Sequence, residues 1–284
     1  MNYLIIADSS ADFAKRSTAD SLIPFASVPL KIITSQKEYV DDDVLNVEQM
    51  VNELEAYKGR SSSSCPNPSD WLEAFGSAEN VFCITITSGL SGSYNSACMA
   101  KAEYEELHPD RKVFVIDSLS TGPEMGLIVD KLEELINSGK SFEEICAEIK
   151  EYQSRTGLLF MLESMQNLAN NGRVSPLVAK LAGILGIRVI GKASDVGTLE
   201  QLEKCRGEAK ALPAFFEQMK SLGYRGGKVK IAHCLNESAA NKLNEIIKKE
   251  FSDAKTEIYP CRGLCSFYAE RGGLLVGFEK RATC

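Results

Sequence analysis

Thr87, Ser88, Ser91 and Ser93 crowd one short turn together with Gly89 and Gly92. A β-branched and apolar run, Val81 to Ile86, leads into that turn, and a helical pattern follows it. Glycines let a backbone come close to a ligand. Amide groups at a helix start favour an anion, and hydroxyls add donors with adjustable rotors. Such a turn can hold a carboxylate or a phosphate without formal positive charge. The plainer reading is a helix N-cap at Ser91 or Ser93. Two other loops share this chemistry: Asp8-Ser9-Ser10, and Asp117-Ser118 followed by Ser120-Thr121-Gly122. Asp8 and Asp117 read either as caps of the next helix or as acid–base groups of an enzyme acting on a small anionic metabolite.

The elements that must position these loops alternate along the first half of the chain. Tyr3–Ala7, Val28–Ile33, Val81–Ile86 and Val113–Asp117 read as strands. Val44–Tyr57, Trp71–Phe75, Tyr94–Leu107 and Gly126–Ile136 read as helices. This order predicts an α/β fold, a parallel sheet with helices on both faces and its binding crevice at the carboxyl ends of the strands. The segment 61–71, SSSSCPNPSDW, reads as a polar turn before a short helix. The second half has another rhythm. Helices are expected over Ser141–Gln153, Ser175–Leu185 and Asn236–Phe251, the last capped by Asn236. Ile187–Lys192, Lys228–Cys234, Thr256–Tyr259 and Leu274–Glu279 read as strands, and Gly157–Leu162 as a strand or a helix start. A boundary near Thr156 divides an N-terminal α/β domain, 1–156, from a C-terminal α/β domain, 157–284.

Composition narrows the function classes. The 284 residues suffice for two domains with proper cores, and the net charge of −7 argues against nucleic acid as the main partner. The N-terminus has no basic region ahead of an apolar stretch, and no run is apolar enough for a transmembrane segment, so a cytoplasmic protein is expected. Nine cysteines without CxxC spacing read as buried free thiols, with no metal site. No GxGxxG, Walker A loop, HExxH or GxSxG is present. A hydrolase triad would have to use His108, at a helix end before Pro109, or His233, inside a strand. Both placements disfavour it.

Several segments taken in order resemble the DegV family, the fatty-acid-binding proteins that serve as carrier subunits of bacterial fatty acid kinases. The opening IIADSSADF resembles the family's first strand and Asp-Ser loop. SSCPNPSDW echoes its Thr-Ser-Gln-Pro-Ser-Pro segment, with Ser63 at the Thr and Ser64 at the Ser. TSGLSGSYNSA is nearly the family's Ser-Gly turn, and VIDSLSTG its second Asp-Ser segment. NGRVSPLVAKLAGILGIRVI is similar to the segment that opens the second domain's apolar helix, and CRGEAKAL to an R-x-x-K/R pattern. One departure stands out: YAERGGLLVGF lies on the family's H-T-G-P-G-A-L-G segment, with Tyr268 where a histidine is expected.

The resemblance implies a lipid carrier that is not itself an enzyme and uses no cofactor, with a bound long-chain fatty acid as ligand. The carboxylate would meet Ser63, Ser88 or Ser91, a backbone amide near Gly89 or Gly92, and Tyr268. The acyl chain would run between the domains along the apolar helix 177–187. Each buried methylene there is worth about 0.8 kcal/mol. A separate fatty acid kinase subunit would phosphorylate the carboxylate, with Arg173 supplying charge for the phosphate and Arg206 and Lys210, one helical turn apart on a shared face, meeting the kinase. Carriage of the acyl phosphate toward phospholipid synthesis would involve transient membrane contact. The enzyme using Asp8 or Asp117 stays open as the alternative.

Overall fold

The computed structural model describes residues 2–12, 23–176 and 186–281. The first sheet has the order β2-β1-β6-β7, from β1 (Tyr3–Asp8), β2 (Phe25–Val28), β6 (Asn80–Thr85) and β7 (Lys112–Asp117). All its pairings are parallel. Alternation along β1 shows why both faces are covered. Ile5 and Ala7 join a cluster with α4 (Pro123–Asn137) and α5 (Phe142–Ser154). Leu4 and Ile6 join another, with Trp71 and Phe75 of α2 (Pro68–Phe75) and Ala97, Ala100 and Tyr104 of α3 (Ser93–Leu107). Successive side chains of a strand point to opposite faces, so an unbroken apolar run needs two covers.

The strand expected over Val28–Ile33 is two strands. Pro29 cannot donate to a ladder, and the chain leaves the first sheet there. It re-forms as β3 (Lys31–Ile33), centre of a small antiparallel sheet with β4 (Glu38–Val40) and β5 (Ser62–Ser64), in the order β4-β3-β5. β5 corrects the loop expected at 61–71. Its hydroxyl residues carry no strand signal of their own, and pairing supplies it: Ile32 lies opposite Ser63 and Lys31 opposite Ser64. The small sheet and α1 (Val47–Ala56) then pack away from the first sheet. Ile32, Tyr39, Met50 and Val51 share a buried cluster with Leu158, Phe160 and Phe267 of the second half.

The second main sheet has the order β10-β9-β8-β13-β11-β12. Its strands are β8 (Thr156–Leu162), β9 (Ile187–Ala193), β10 (Leu199–Arg206), β11 (Lys228–His233), β12 (Lys255–Pro260) and β13 (Leu274–Glu279). Only β11 and β12 pair in parallel; the other pairings are antiparallel. Leu159 and Met161 of β8 face α7 (Glu208–Ser221) and α8 (Glu237–Glu250), while Leu158, Phe160 and Leu162 face the other way. Asn236 caps α8 as expected, its side chain accepting from the Ala239 amide at 3.3 Å. β10, the short α6 (Gln166–Asn170) and α9 (Gly263–Ala269) had no clear sequence signal, and α7 shows in the sequence only as the helical turn carrying Arg206 and Lys210. Residues 177–185, most of the expected helix over Ser175–Leu185 and of the proposed tunnel wall, lie outside the described residues.

α4 lies between the two main sheets, and its first seven residues are all buried. Gly277 of β13 permits this closeness: a Cβ there would stand 2.5 Å from the Glu124 amide nitrogen.

Candidate ligand-binding cavity

The three hydroxyl-rich loops all leave the carboxyl ends of first-sheet strands, where parallel sheets bind ligands. Two aspartates bind them to one another. Asp8, at the end of β1, accepts from the Ile86 amide at 2.9 Å, from Ser93 Oγ at 2.6 Å and from the Ser10 amide at 3.3 Å. Asp117 Oδ1, at the end of β7, accepts from the amides of Ser88 at 3.0 Å and Leu119 at 3.1 Å. Burial pushes the Asp8 carboxyl up, and the hydrogen bonds from Ser10, Ser93 and Ile86 oppose it. Both carboxylates thus serve as acceptors that tie the loops together. Asp8 caps the short 3-10 helix Ser9–Ala11 and braces the turn beyond it, as a strut.

Above these loops, between the two main sheets, lies a mostly apolar cavity of about 290 Å³. That is the lower edge of the usual range for ligand cavities, about 300–1,000 Å³. Leu30 and Ile86 come from the first half, Leu158, Phe160, Leu162 and Leu275 from the second sheet, and Leu264 and Ala269 from α9. The cavity's polar lining comprises Thr87, Ser120, Thr121 and Thr198 from the loops and the hairpin, and Ser63, Ser64, Ser91, Arg173 and Tyr268. Within this lining Ser63 Oγ and Tyr268 Oη are 2.6 Å apart. β5 brings Ser63 into place and α9 brings Tyr268. Asp41 fixes the start of α9, accepting from the amides of Gly263 at 2.8 Å and Leu264 at 2.9 Å. Burial pushes the Tyr268 phenol up, while the bond to Ser63 and the nearby Arg173 pull the other way. The phenol therefore stays neutral at physiological pH. The Arg173 guanidinium carbon sits 5.4 Å from the Tyr268 ring centre, and Arg173 Nε donates to the Leu90 carbonyl at 3.3 Å.

The residues singled out in the sequence divide. Ser63, Ser91, Gly92, Arg173 and Tyr268 share the cavity. Gly92 is the N-cap of α3 and makes no side-chain cap; Ser91 Oγ instead accepts from the Ser93 amide at 3.2 Å. Ser88 and Gly89 are exposed and do not line the cavity; their amides are taken up by Asp117 and by Thr87 Oγ1. Arg206 and Lys210 are exposed but do not form a helical pair. Arg206 closes β10, and Gly207, with φ +81°, starts α7 after it. Thr87 of the Ser-Gly turn also lines the cavity, and sequence reasoning missed Cys65, Gly197, Thr198 and Cys265 among the lining residues. Cys265 could have been found from its helical spacing to Tyr268, and Gly197 from the turn signal SDVGT.

Fold and cavity define a class: a mixed α/β protein whose two main sheets enclose a mostly apolar cavity lined in part by hydroxyls and one arginine. Residues 2–281 match the family described as "Uncharacterised protein, DegV family", and the chain belongs to the DegV family. A DegV domain-containing protein of Streptococcus pneumoniae is 47% identical over 279 residues, 98% of this chain and 99% of the relative. The crystal structure of the Streptococcus pneumoniae Fatty Acid Kinase (Fak) B3 protein, loaded with linoleic acid, is 47% identical and superposes with a TM-score of 0.97 over 99% of this chain and all of that one. A DegV family protein from Eubacterium eligens loaded with heptadecanoic acid is 45% identical, with a TM-score of 0.95 over 98% of this chain and all of that one. No helix among the described residues is long and apolar enough to cross a membrane.

Proposed function

We propose that the protein binds a long-chain fatty acid in this cavity and presents its carboxylate to a separate kinase subunit, then carries the acyl phosphate onward. The hydrogen-bonded Ser63–Tyr268 pair in the lining of the mostly apolar cavity carries the reading. The fatty acids in the two similar structures support it. On binding, the two hydroxyls would exchange their mutual bond for one bond each to the carboxylate. Ser91 and Gly92 line the same cavity. Neutral donors suit a group that must react. A bidentate arginine grip would occupy both carboxylate oxygens, whereas hydroxyls leave one free for the incoming phosphoryl group. Arg173, beside the Tyr268 ring, would answer the new charge. The exposed Arg206 and Lys210, one at a strand end and one in the first turn of α7, are offered as contacts for the kinase.

The test has two parts. Organic extraction of purified protein followed by mass spectrometry should recover a fatty acid. Tyr268→Phe and Ser63→Ala should each weaken binding of a fluorescent fatty acid by about 1.5–3 kcal/mol, as for loss of a hydrogen bond to a charged group. Recovery of no lipid, together with unchanged affinity in both variants, would remove the reading.

A further inference from the structure

The tip of the β9–β10 hairpin reaches from the second main sheet to the Ser-Gly turn of the first. Its inner residues Ala193, Gly197, Thr198 and Leu199 form one wall of the cavity. The tip is a self-bonded turn. The Ser194 amide donates to the Thr198 carbonyl and the Gly197 amide to the Ser194 carbonyl, both at 2.8 Å, and the hydroxyls of Ser194 and Thr198 are 2.9 Å apart. It therefore moves as a unit.

Contact with the turn involves almost no apolar side chain. Thr87 Oγ1 donates to the Gly197 carbonyl at 2.9 Å and accepts from the Gly89 amide at 3.1 Å. A Cβ on Gly89 would stand 2.8 Å from the Val196 carbonyl oxygen, and one on Gly197, with φ +72°, would stand 1.9 Å from Thr87 Oγ1. Both glycines are thus needed for the approach. Val196, the one large apolar residue at the tip, is 68% exposed. β10 is moreover an edge strand that pairs with β9 alone, and its register slips between Gln201 and Glu203. Regions with little buried apolar contact open locally at low cost. The strands themselves are anchored: Val189 and Ile190 of β9 and Cys205 of β10 are buried in the core, with Ala193 and Leu199 packed against it, so the weakly held part is the tip, residues 194–198. Of the other described walls, capped α9 packs into the shared core, and α4 lies behind the loops between two sheets.

We infer that the tip of the β9–β10 hairpin, residues 194–198, is a strap across the cavity, latched by Thr87 to Gly197, and that its release sets the rate at which ligand exchanges. This inference rests on the fatty acid reading of the same cavity. It also explains the hydroxyl at Thr87, which serves the latch and not the head group.

Stopped-flow displacement of a fluorescent fatty acid tests it. Thr87→Val should speed dissociation by about two- to tenfold, the worth of one hydrogen bond. Gly89→Ala, which presses on the Val196 carbonyl, should do likewise. Thr87→Ser keeps the hydroxyl and should restore the wild-type rate. Hydrogen exchange should show loss of protection over residues 194–199 in Thr87→Val, with protection of α4 unchanged. Wild-type dissociation rates in Thr87→Val and Gly89→Ala would overturn the strap while leaving the fatty acid reading intact. If the wild-type protein takes up no fatty acid, the reading fails first and the strap falls with it. Global loss of protection in Thr87→Val, with Gly89→Ala at the wild-type rate, also counts against the strap.

Discussion

Two residues four positions apart near the start of the chain show how burial assigns roles to identical carboxyls. Asp8 accepts from two amides and two hydroxyls. Asp12 is 4% exposed, with φ +60°, and accepts from the Arg262 amide through Oδ1 at 2.9 Å, while Oδ2 has no hydrogen-bond partner. Burial pushes the Asp12 carboxyl up to about 7; the Arg262 amide, Cys265 and the Arg262 charge oppose this, and Asp41 adds to it. In the unfolded chain the same group titrates near 3.8. Below about pH 4 both states hold the proton. Between about 4 and 7 only the folded state keeps it, so rising pH favours unfolding. Above about 7 both are ionised and the loss is complete. Asp12→Asn removes this component. The stability of wild type relative to Asp12→Asn should therefore fall between pH 4 and 7, with a slope approaching about 1.4 kcal/mol per pH unit. Urea midpoints across that range measure it, and a constant difference would refute the assignment. The sequence showed Asp8 and Asp117 as alike in their Asp-Ser loops and passed over Asp12. Nothing local distinguishes a braced carboxyl from a stranded one, because the partners Arg262 and Cys265 are some 250 positions away.

At the scale of elements, legibility followed the range of the interactions. Amphipathic helices with side-chain caps, such as α5 and α8, were read to within a few residues, because cap and period are local. β5 was unreadable because three serines become a strand only beside β3. Yet the same stretch carries a local device that holds β5 in place. Asn67 and Asp70 form a reciprocal capping box at the start of α2: the Asp70 amide donates to Asn67 Oδ1 at 3.1 Å and the Asn67 amide to Asp70 Oδ2 at 2.8 Å. Pro68 occupies the first helical turn, and Ser96 Oγ of α3 donates to the Pro66 carbonyl at 2.7 Å. The chain between Ser63 and α2 is thus fixed at its far end. Asn67→Ala should cost about 1 kcal/mol of stability, seen as a lower denaturant midpoint with an unchanged slope. It should also weaken fatty acid binding through a looser Ser63, although Asn67 does not line the cavity. Unchanged affinity at the reduced stability would show that β3 pairing alone positions the serine.

At the scale of the whole molecule, all strands of the first sheet precede residue 118 and all strands of the second follow residue 155. A boundary near Thr156 remains our proposal for how the chain divides by sequence. The packing crosses it. Ile32, Tyr39, Met50 and Val51 are buried with residues of the second sheet, and Lys230 of β11 pairs with Asp130 of α4 at 2.9 Å. The two parts should therefore unfold together, and the cavity between them couples ligand to that transition. A ligand that binds only the folded state adds RT ln(1 + [L]/Kd), about 2.7 kcal/mol when its free concentration is 100 times Kd. For a chain of this size each kcal/mol raises the melting temperature by about 2–4 °C. Protein stripped of lipid and then reloaded with a long-chain fatty acid should show a single calorimetric transition in both forms, the loaded one higher by about 5–10 °C at that excess. Circular dichroism and the fluorescence of Trp71, buried beneath the first sheet, should report the same midpoint. If the two probes separate, the shared core does not bind the parts into one cooperative unit. If the midpoint ignores the fatty acid, the cavity is not its site.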